Sequence, residues 1–380
     1  MTIAIITTII QMESTIITMV NKRRKAKLFL GGFAPLLIFF LIGFSHVFSQ
    51  DFSLGFSYNG MISSNLFNNY EKIGDFINRG WMDFSIYPSK ELEFYISSGY
   101  SVFKENSYLN FLTVETGIDW IKYLKGRSMI HFNAGVDLQQ FKVDYDYYNY
   151  YQPFLQGDFK YYMSDTVLLR TSYSFEYTKF VYFPAYSSQK HRLFLQLNKF
   201  LPFEMTIRGE AGTRLKRYTE DGSSIKQIYG RIRISKGIGY RIGLAGQWTV
   251  KKNFVSESIP GKIEESFFFN TPFYDDFSWD GHWGFVQLKA ILPYEIEFTA
   301  RASYYERKFP GILALNLDGT NVEPLQNRRD TLKQLSISLK RKWPGFNISL
   351  TYLLRSNISN DPYFTFSDHI LMFSTGIFLY

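Results

Sequence analysis

The chain has 380 residues and no cysteine, is 46% hydrophobic and 19% aromatic, and carries a formal charge of +8. The missing thiols exclude disulfides, thiolate metal centres, cysteine nucleophiles and a lipidated N-terminal cysteine, and a mean hydropathy of −0.15 excludes a bundle of transmembrane helices. Five basic residues (Lys22, Arg23, Arg24, Lys25, Lys27) and one acid, Glu13, fall in residues 1–49, so about half of the excess charge belongs to that segment and gives no argument for a nucleic-acid partner.

In chain order, Lys22 to Lys27 form a basic stretch, Leu28 to Phe44 an apolar one, and Val47-Phe48-Ser49 a small-residue ending before Gln50. That is the pattern of a cleaved secretory signal over 1–49, with cleavage near Ser49/Gln50. An N-terminal anchor helix is the competing reading, because the apolar run approaches spanning length. Met19 gives a signal of conventional length, which makes residues 1–18 an expected artefact of start-site choice.

From Phe52 the chain changes character and alternates with a period of two. In Phe203 to Leu215 the residues Phe203, Met205, Ile207, Gly209, Ala211, Thr213 and Leu215 interleave with Glu204, Thr206, Arg208, Glu210, Gly212 and Arg214. Successive strand side chains point to opposite faces, so one face suits hydrocarbon and the other water. The same pattern, broken by Pro, Gly, Asn and Asp, predicts strands near 52–60, 79–87, 91–103, 108–122, 127–141, 152–163, 166–179, 189–200, 202–217, 225–236, 239–252, 280–292, 294–307, 331–343, 345–356 and 369–380. The short segment 104–107 leaves fourteen strands as the alternative, if a bent strand has been divided there.

Every second connection is tight: Pro88-Ser89-Lys90, Lys125-Gly126, Ser164-Asp165, Leu201-Pro202, Gly237-Ile238, Pro293 and Trp343-Pro344-Gly345. The others are mostly longer, notably 61–78, 142–151, 253–279, 308–330 and 357–368. The fold class expected is all-β, a transmembrane up-and-down antiparallel β-barrel over 50–380 as a single domain, with short turns in the periplasm and long loops outside. No plug domain is expected before the first strand.

The chain closes on Phe378 and Tyr380, aromatics at the third-last and last positions. Here it resembles bacterial outer-membrane β-barrel proteins of the porin type. That resemblance implies a location in the cell outer membrane, outer-membrane lipid as surroundings, and Phe378 and Tyr380 as a signal read by the barrel-assembly machinery. The glycine that often stands five residues before the end is Thr375 here, with Gly376 beside it.

Taking the charged row of each strand as inward, the pore-lining candidates are the bases Arg170, Arg192, Arg208, Arg214, Arg231, Arg233, Arg241 and Arg301 and the acids Glu115, Asp119, Asp137, Asp158, Glu176, Glu204, Glu210, Glu295 and Glu297. Mutual neutralisation would keep a packed lumen folded; a wall of unlike charges would select permeant ions. Acids dominate 108–163 and arginines 189–241, which predicts opposite walls of unlike sign. Aromatics crowd two outer loops, Tyr145 to Tyr151 and Phe267 to Trp279, as an interfacial girdle or, with Asp144, Asp146, Asp275 and Asp276, as a platform for a flat ligand.

The enzyme reading rests on Asp280-Gly281-His282, which is similar to the Asp-x-His pair of the omptin outer-membrane proteases. Parity places 280 and 282 on the row of Val286, Leu288 and Ala290, which faces lipid. No His-x-Ser arrangement like that of the outer-membrane phospholipase is present, His131, His191 and His369 stand alone, and neither metal ligands nor a cofactor motif cluster. The expectation is therefore a non-enzymatic channel for passive diffusion of small hydrophilic solutes. The alternatives are a surface-interaction barrel with a closed lumen, or a specific transporter for sugar or lipid.

Overall fold

The computed structural model describes residues 51–124, 127–255 and 277–379. Sixteen strands follow one another: β1 (Asp51–Ser63), β2 (Asp75–Ser89), β3 (Leu92–Phe103), β4 (Phe111–Leu124), β5 (Ser128–Phe141), β6 (Tyr150–Ser164), β7 (Val167–Phe180), β8 (Ser188–Leu201), β9 (Met205–Tyr218), β10 (Ser224–Ile238), β11 (Ile242–Val255), β12 (Asp280–Leu292), β13 (Ile296–Leu313), β14 (Asn327–Trp343), β15 (Phe346–Ser359) and β16 (Phe366–Leu379). Each pairs antiparallel with its sequence neighbours, and β1 pairs with β16 from Leu54↔Leu379 to Ser63↔Ile370, which closes the sheet. Closure leaves no unpaired edge, so every ladder group is satisfied without water, as a bilayer requires.

The fourteen-strand alternative fails at 104–110. That segment is a true loop with a one-turn 3₁₀ helix, Ser107–Leu109, between two full strands. The Lys125-Gly126 turn lies outside the described residues.

The two rows of every strand differ in kind. Leu193, Leu195 and Leu197 on β8 are about half exposed, as are Ile228, Ile232 and Ile234 on β10. Apolar exposure repeated round a barrel is untenable in water and ordinary against lipid. The alternate rows carry charges and are crowded by the concave curvature: Asp158, Gln196, Glu210 and Gln227 are all buried.

Several strands run longer than their apolar pattern. β1 continues to Ser63, β2 begins at Asp75, β13 reaches Leu313 and β14 starts at Asn327. On β13 and β14 the outward row turns polar there, with Glu306, Lys308 and Arg329, while backbone pairing continues. Several strands start later than expected, β9, β11 and β13 because a turn precedes them. Phe203, Glu204, Tyr294 and Glu295 have positive φ values of 60°, 57°, 61° and 58°, the left-handed geometry of tight turns. Glu204 and Glu295 are therefore turn residues and belong to no inward row; Arg241, exposed in the turn before β11, joins them.

Candidate functional site

The inward rows of β4 to β7 hold a connected polar wall. The Tyr95 hydroxyl donates to Glu115 at 2.9 Å, and Asn133 donates to Asp119 at 3.3 Å. His131 bridges two carboxylates, with Nε2 2.7 Å from Asp119 and Nδ1 3.5 Å from Asp158. Arg170 donates to Asp158 through Nε (2.9 Å) and a terminal nitrogen (2.6 Å), and Gln156 adds a third donor at 2.8 Å. Asp158 has almost no exposed side chain, so these charge-assisted bonds hold it in place of water. His131, expected to stand alone, is the hinge of this wall.

Beyond β7 the character changes. Arg192, Arg208, Arg214, Arg231 and Arg233 lie on the inward rows of β8 to β10, where register sets Arg192 opposite Arg214 and Arg208 opposite Arg233. Among the described residues Glu210 is the one carboxylate on the inward rows of β8 to β12, and it meets Arg192 and Arg231 at 3.5 Å each. Aromatic rings supply the remaining support. Arg192 lies 5.0 Å from the Phe194 ring centre, Arg214 4.8 Å from Tyr229, Arg231 5.8 Å from Trp283, and Arg233 and Arg301 5.8 and 3.8 Å from Phe285. A guanidinium over a ring face gains about 0.5–2 kcal/mol, and here the rings hold a row of like charges against the wall. Tyr229 lies flat because its register partner is Gly212, where a Cβ would sit 2.6 Å from the ring.

These aromatic rungs, Phe194, Tyr229, Trp283 and Phe285, were not identified from the sequence. Their signal was present: each stands at a position whose parity matches the charged row, and Tyr229 faces a glycine. The acid-rich and arginine-rich walls also stand differently from expectation. Their centres, β5 and β9, are four strands apart in a ring of sixteen, so the walls are a quarter-turn apart and not opposite. Glu176 with Lys190 and Glu297 with Lys289 form long pairs of 3.9 Å, and Asp137 accepts from the Tyr150 hydroxyl at 2.9 Å.

The mouth at the long-loop end is narrowed from two sides. Leu66, in the loop between β1 and β2, is buried against the inward residues Ile77, Phe103, Phe111 and Phe141. The same loop is tied at Asp368, which accepts from the backbone N–H groups of Ser64 (3.1 Å) and Asn65 (2.9 Å) and pairs with Arg355. Across the mouth Phe277 packs with Tyr218 and Ile225, Asn253 donates to the carbonyls of Phe277 (2.7 Å) and Trp279 (3.0 Å), and the Lys251 ammonium sits 3.3 Å from the Trp279 ring centre. Residues 256–276, with Phe267, Asp275 and Asp276, lie outside the described residues. Of the loop expected over 308–330, only 314–326 remains between strands, bridged at Leu315↔Asn321 and with Leu317 and Leu325 exposed.

The tyrosine cluster pairs with itself. Tyr145 stacks on Tyr108 at 5.3 Å and on Tyr147 at 5.4 Å, and Phe183 meets Tyr147 edge-on at 5.4 Å. Burial among these rings pushes the Tyr147 hydroxyl pKa up. The Asp144 side chain lies outside the described residues. Phe378 is on the inward row, its ring against Gly55 and Gly376, while Leu371, Phe373, Ile377 and Leu379 face out; Tyr380 lies outside the described residues.

The protease-like pair is not assembled. Asp280 accepts from the Asn253 backbone N–H at 2.6 Å and pairs with Lys252, whereas His282 stacks on Trp248 at 4.9 Å on the lipid-facing row. His191 and His369, also facing out, bond to the Tyr173 and Tyr352 hydroxyls at 2.9 and 2.6 Å.

No protein-family model matches the chain, and no curated protein matches it in sequence. Solved structures do resemble it in shape. OpdK of Pseudomonas aeruginosa with vanillate is 9% identical with a TM-score of 0.51, over 87% of this chain and 99% of that one. The same organism's OccK1 (OpdK) gives 10% and 0.50 over the same shares, and a bacterial polysaccharide outer membrane secretin gives 10% and 0.51 over 86% and 97%. At such identities the likeness concerns fold. The chain thus has the closed sixteen-strand architecture of porin-type outer-membrane barrels, proteins of the bacterial outer membrane.

Proposed function

We propose that the protein is a porin-like outer-membrane channel for small hydrophilic solutes, and that its lumen favours anions. The observation that carries the reading is the inward row of Arg208, Arg231 and Arg233, the last two braced by rings, on the β8 to β12 wall where Glu210 is the one carboxylate among the described residues. Side-chain charges on a pore wall set which ions enter and leave. The acid-rich wall a quarter-turn away spends part of its charge internally, with Asp158 on Arg170. The similar OpdK barrel was solved with vanillate, which supports a small solute as the cargo of a barrel of this shape.

The same reading takes 1–49 as an export leader cleaved near Ser49/Gln50, and the final strand as the segment offered to the barrel-assembly machinery. The inward packing of Leu66 and Phe277 at the mouth favours a second reading, a surface-interaction barrel with a closed lumen. Planar-bilayer recording on the purified, refolded protein separates them. Stepwise openings are expected; silence, together with binding that depends on the outer loops, would replace the channel with the closed barrel.

A further inference from the structure

The outward face, which a channel does not use, is uneven at the end bearing the long loops. Its outer positions on β9 to β14 include Arg217, Lys226, Lys252, Lys308, Arg329 and Lys333, with Asp280 and Glu306 as the acids among them. At the same level β1 to β5 present Ile62, Phe76, Val102, Leu112 and Gln140. Two of the bases are satisfied by protein, Lys252 by Asp280 (2.6 Å) and Lys308 by Glu306 (3.5 Å). Arg329 and Lys333 are exposed, and no carboxylate among the described residues lies within ion-pair distance of either. Arg329 is also the register partner of Lys308. Like charges placed directly opposite destabilise a sheet, and an anion between them would reverse the sign.

Lys333 stands at the edge of an apolar groove of about 600 Å³, and Arg329 lies beyond it along the strand. Its floor is Gly284 and Ala302, and its walls include Trp248, Val286, Leu335 and Leu354. Trp248 can lie against the sheet because its register partner is Gly284, where a Cβ would fall 2.4 Å from the ring. His282 stacks on Trp248, Tyr304 lies 6.3 Å beyond His282, and Lys333 is the register partner of Tyr304. Oily groove, aromatic shelf with Lys333 at its level, and then Lys308 and Arg329 therefore follow one another along the strand direction, the order in which acyl chain, interface and charged headgroup follow one another in a leaflet. Four residues of strand separate Arg329 from Lys333, roughly 13 Å, a span suited to a headgroup with more than one anionic group.

We infer that the outward face of β11 to β15 binds a phosphorylated, acylated glycolipid of the outer leaflet, with an acyl chain over Gly284 and Ala302 and phosphate at Arg329 and Lys333. This assignment is independent of conduction through the lumen. It also gives the Trp248–His282–Tyr304 stack a role at the lipid boundary.

The test is native mass spectrometry of the full barrel, released from detergent after incubation with lipid A, phosphatidylglycerol or phosphatidylcholine. Wild-type protein is expected to retain lipid A in preference to both phospholipids. The double variant Arg329→Gln/Lys333→Gln should lose about thirty-fold in retention, from about fivefold per lost cation. Ala302→Trp, which fills the groove floor, should weaken retention with the charges intact, and Lys199→Gln/Lys236→Gln at the opposite rim should not. Heat-modifiable gel migration reports folding for each variant, and the exposed glutamine pair decides the matter if Ala302→Trp does not fold. Retention by the Arg329/Lys333 variant equal to wild type would overturn the assignment. So would phosphatidylglycerol retained as well as lipid A, or an effect of the opposite-rim variant as large.

Discussion

The wall of β4 to β7 and the wall of β8 to β12 carry charge by different means. On the first, the buried carboxylate of Asp158 meets both Arg170 and His131, and His131 reaches Asp119 as well. On the second, Arg233 lies on Phe285, a ring it shares with Arg301 of the adjoining β13, and Arg231 shares Glu210 with Arg192 while resting on Trp283. A carboxylate cancels a cation's field as it fixes its position; a ring fixes the position and leaves the net charge. The difference assigns one wall to stability and the other to selectivity.

The largest expected effect lies on the first wall. Asp158→Asn removes the carboxylate from a nearly buried pair and leaves Arg170 uncompensated, a change that costs about 3–5 kcal/mol. Urea unfolding of the refolded barrel in micelles would show it, and a loss below about 1 kcal/mol would mean that the pair is an ordinary surface one. On the second wall, Arg208→Ser/Arg231→Ser/Arg233→Ser should lower the anion-to-cation permeability ratio about tenfold, equivalent to about 1.4 kcal/mol, with little change in unfolding. If that variant unfolds early and keeps its selectivity, the assignment of the two walls is reversed.

How far this contrast could be read from the chain depends on the residues. Parity alone places Arg208, Arg231 and Arg233 on the inward row, because a period of two has no alternative register in a sheet with one oily face. The partner of a given arginine is another matter. That His131 lies opposite Asp158, or that Phe285 receives Arg301 from the neighbouring strand and Arg233 from two strands away, depends on cross-strand register, which turn length sets and composition does not. The three misplaced charges, Arg241, Glu204 and Glu295, were assigned by extending alternation into turns, where left-handed backbone ends it. Leu66 has no periodic context, and nothing local tells that it folds over the inward row.

A smaller effect should follow from Phe285→Ala. Losing the ring under Arg301 and Arg233 costs about 0.5–2 kcal/mol of guanidinium placement, expected as added open-channel noise at nearly constant selectivity. A collapse of selectivity instead would mean that the ring sets the field by position and not by support. The mildest is ionic strength. Selectivity should weaken between 0.1 and 1 M salt as the Debye length falls from about 10 to about 3 Å, and a ratio independent of salt would point to a steric filter at the mouth, near Leu66 and Trp279.

The reversal potential of the wild-type protein in a planar bilayer under a potassium chloride gradient tests the division of labour most directly. A potential of the sign set by chloride is predicted, since the ring-braced arginines keep their charge. A potential of the sign set by potassium would show that the acids of β4 to β7 govern the lumen, and would contradict the account.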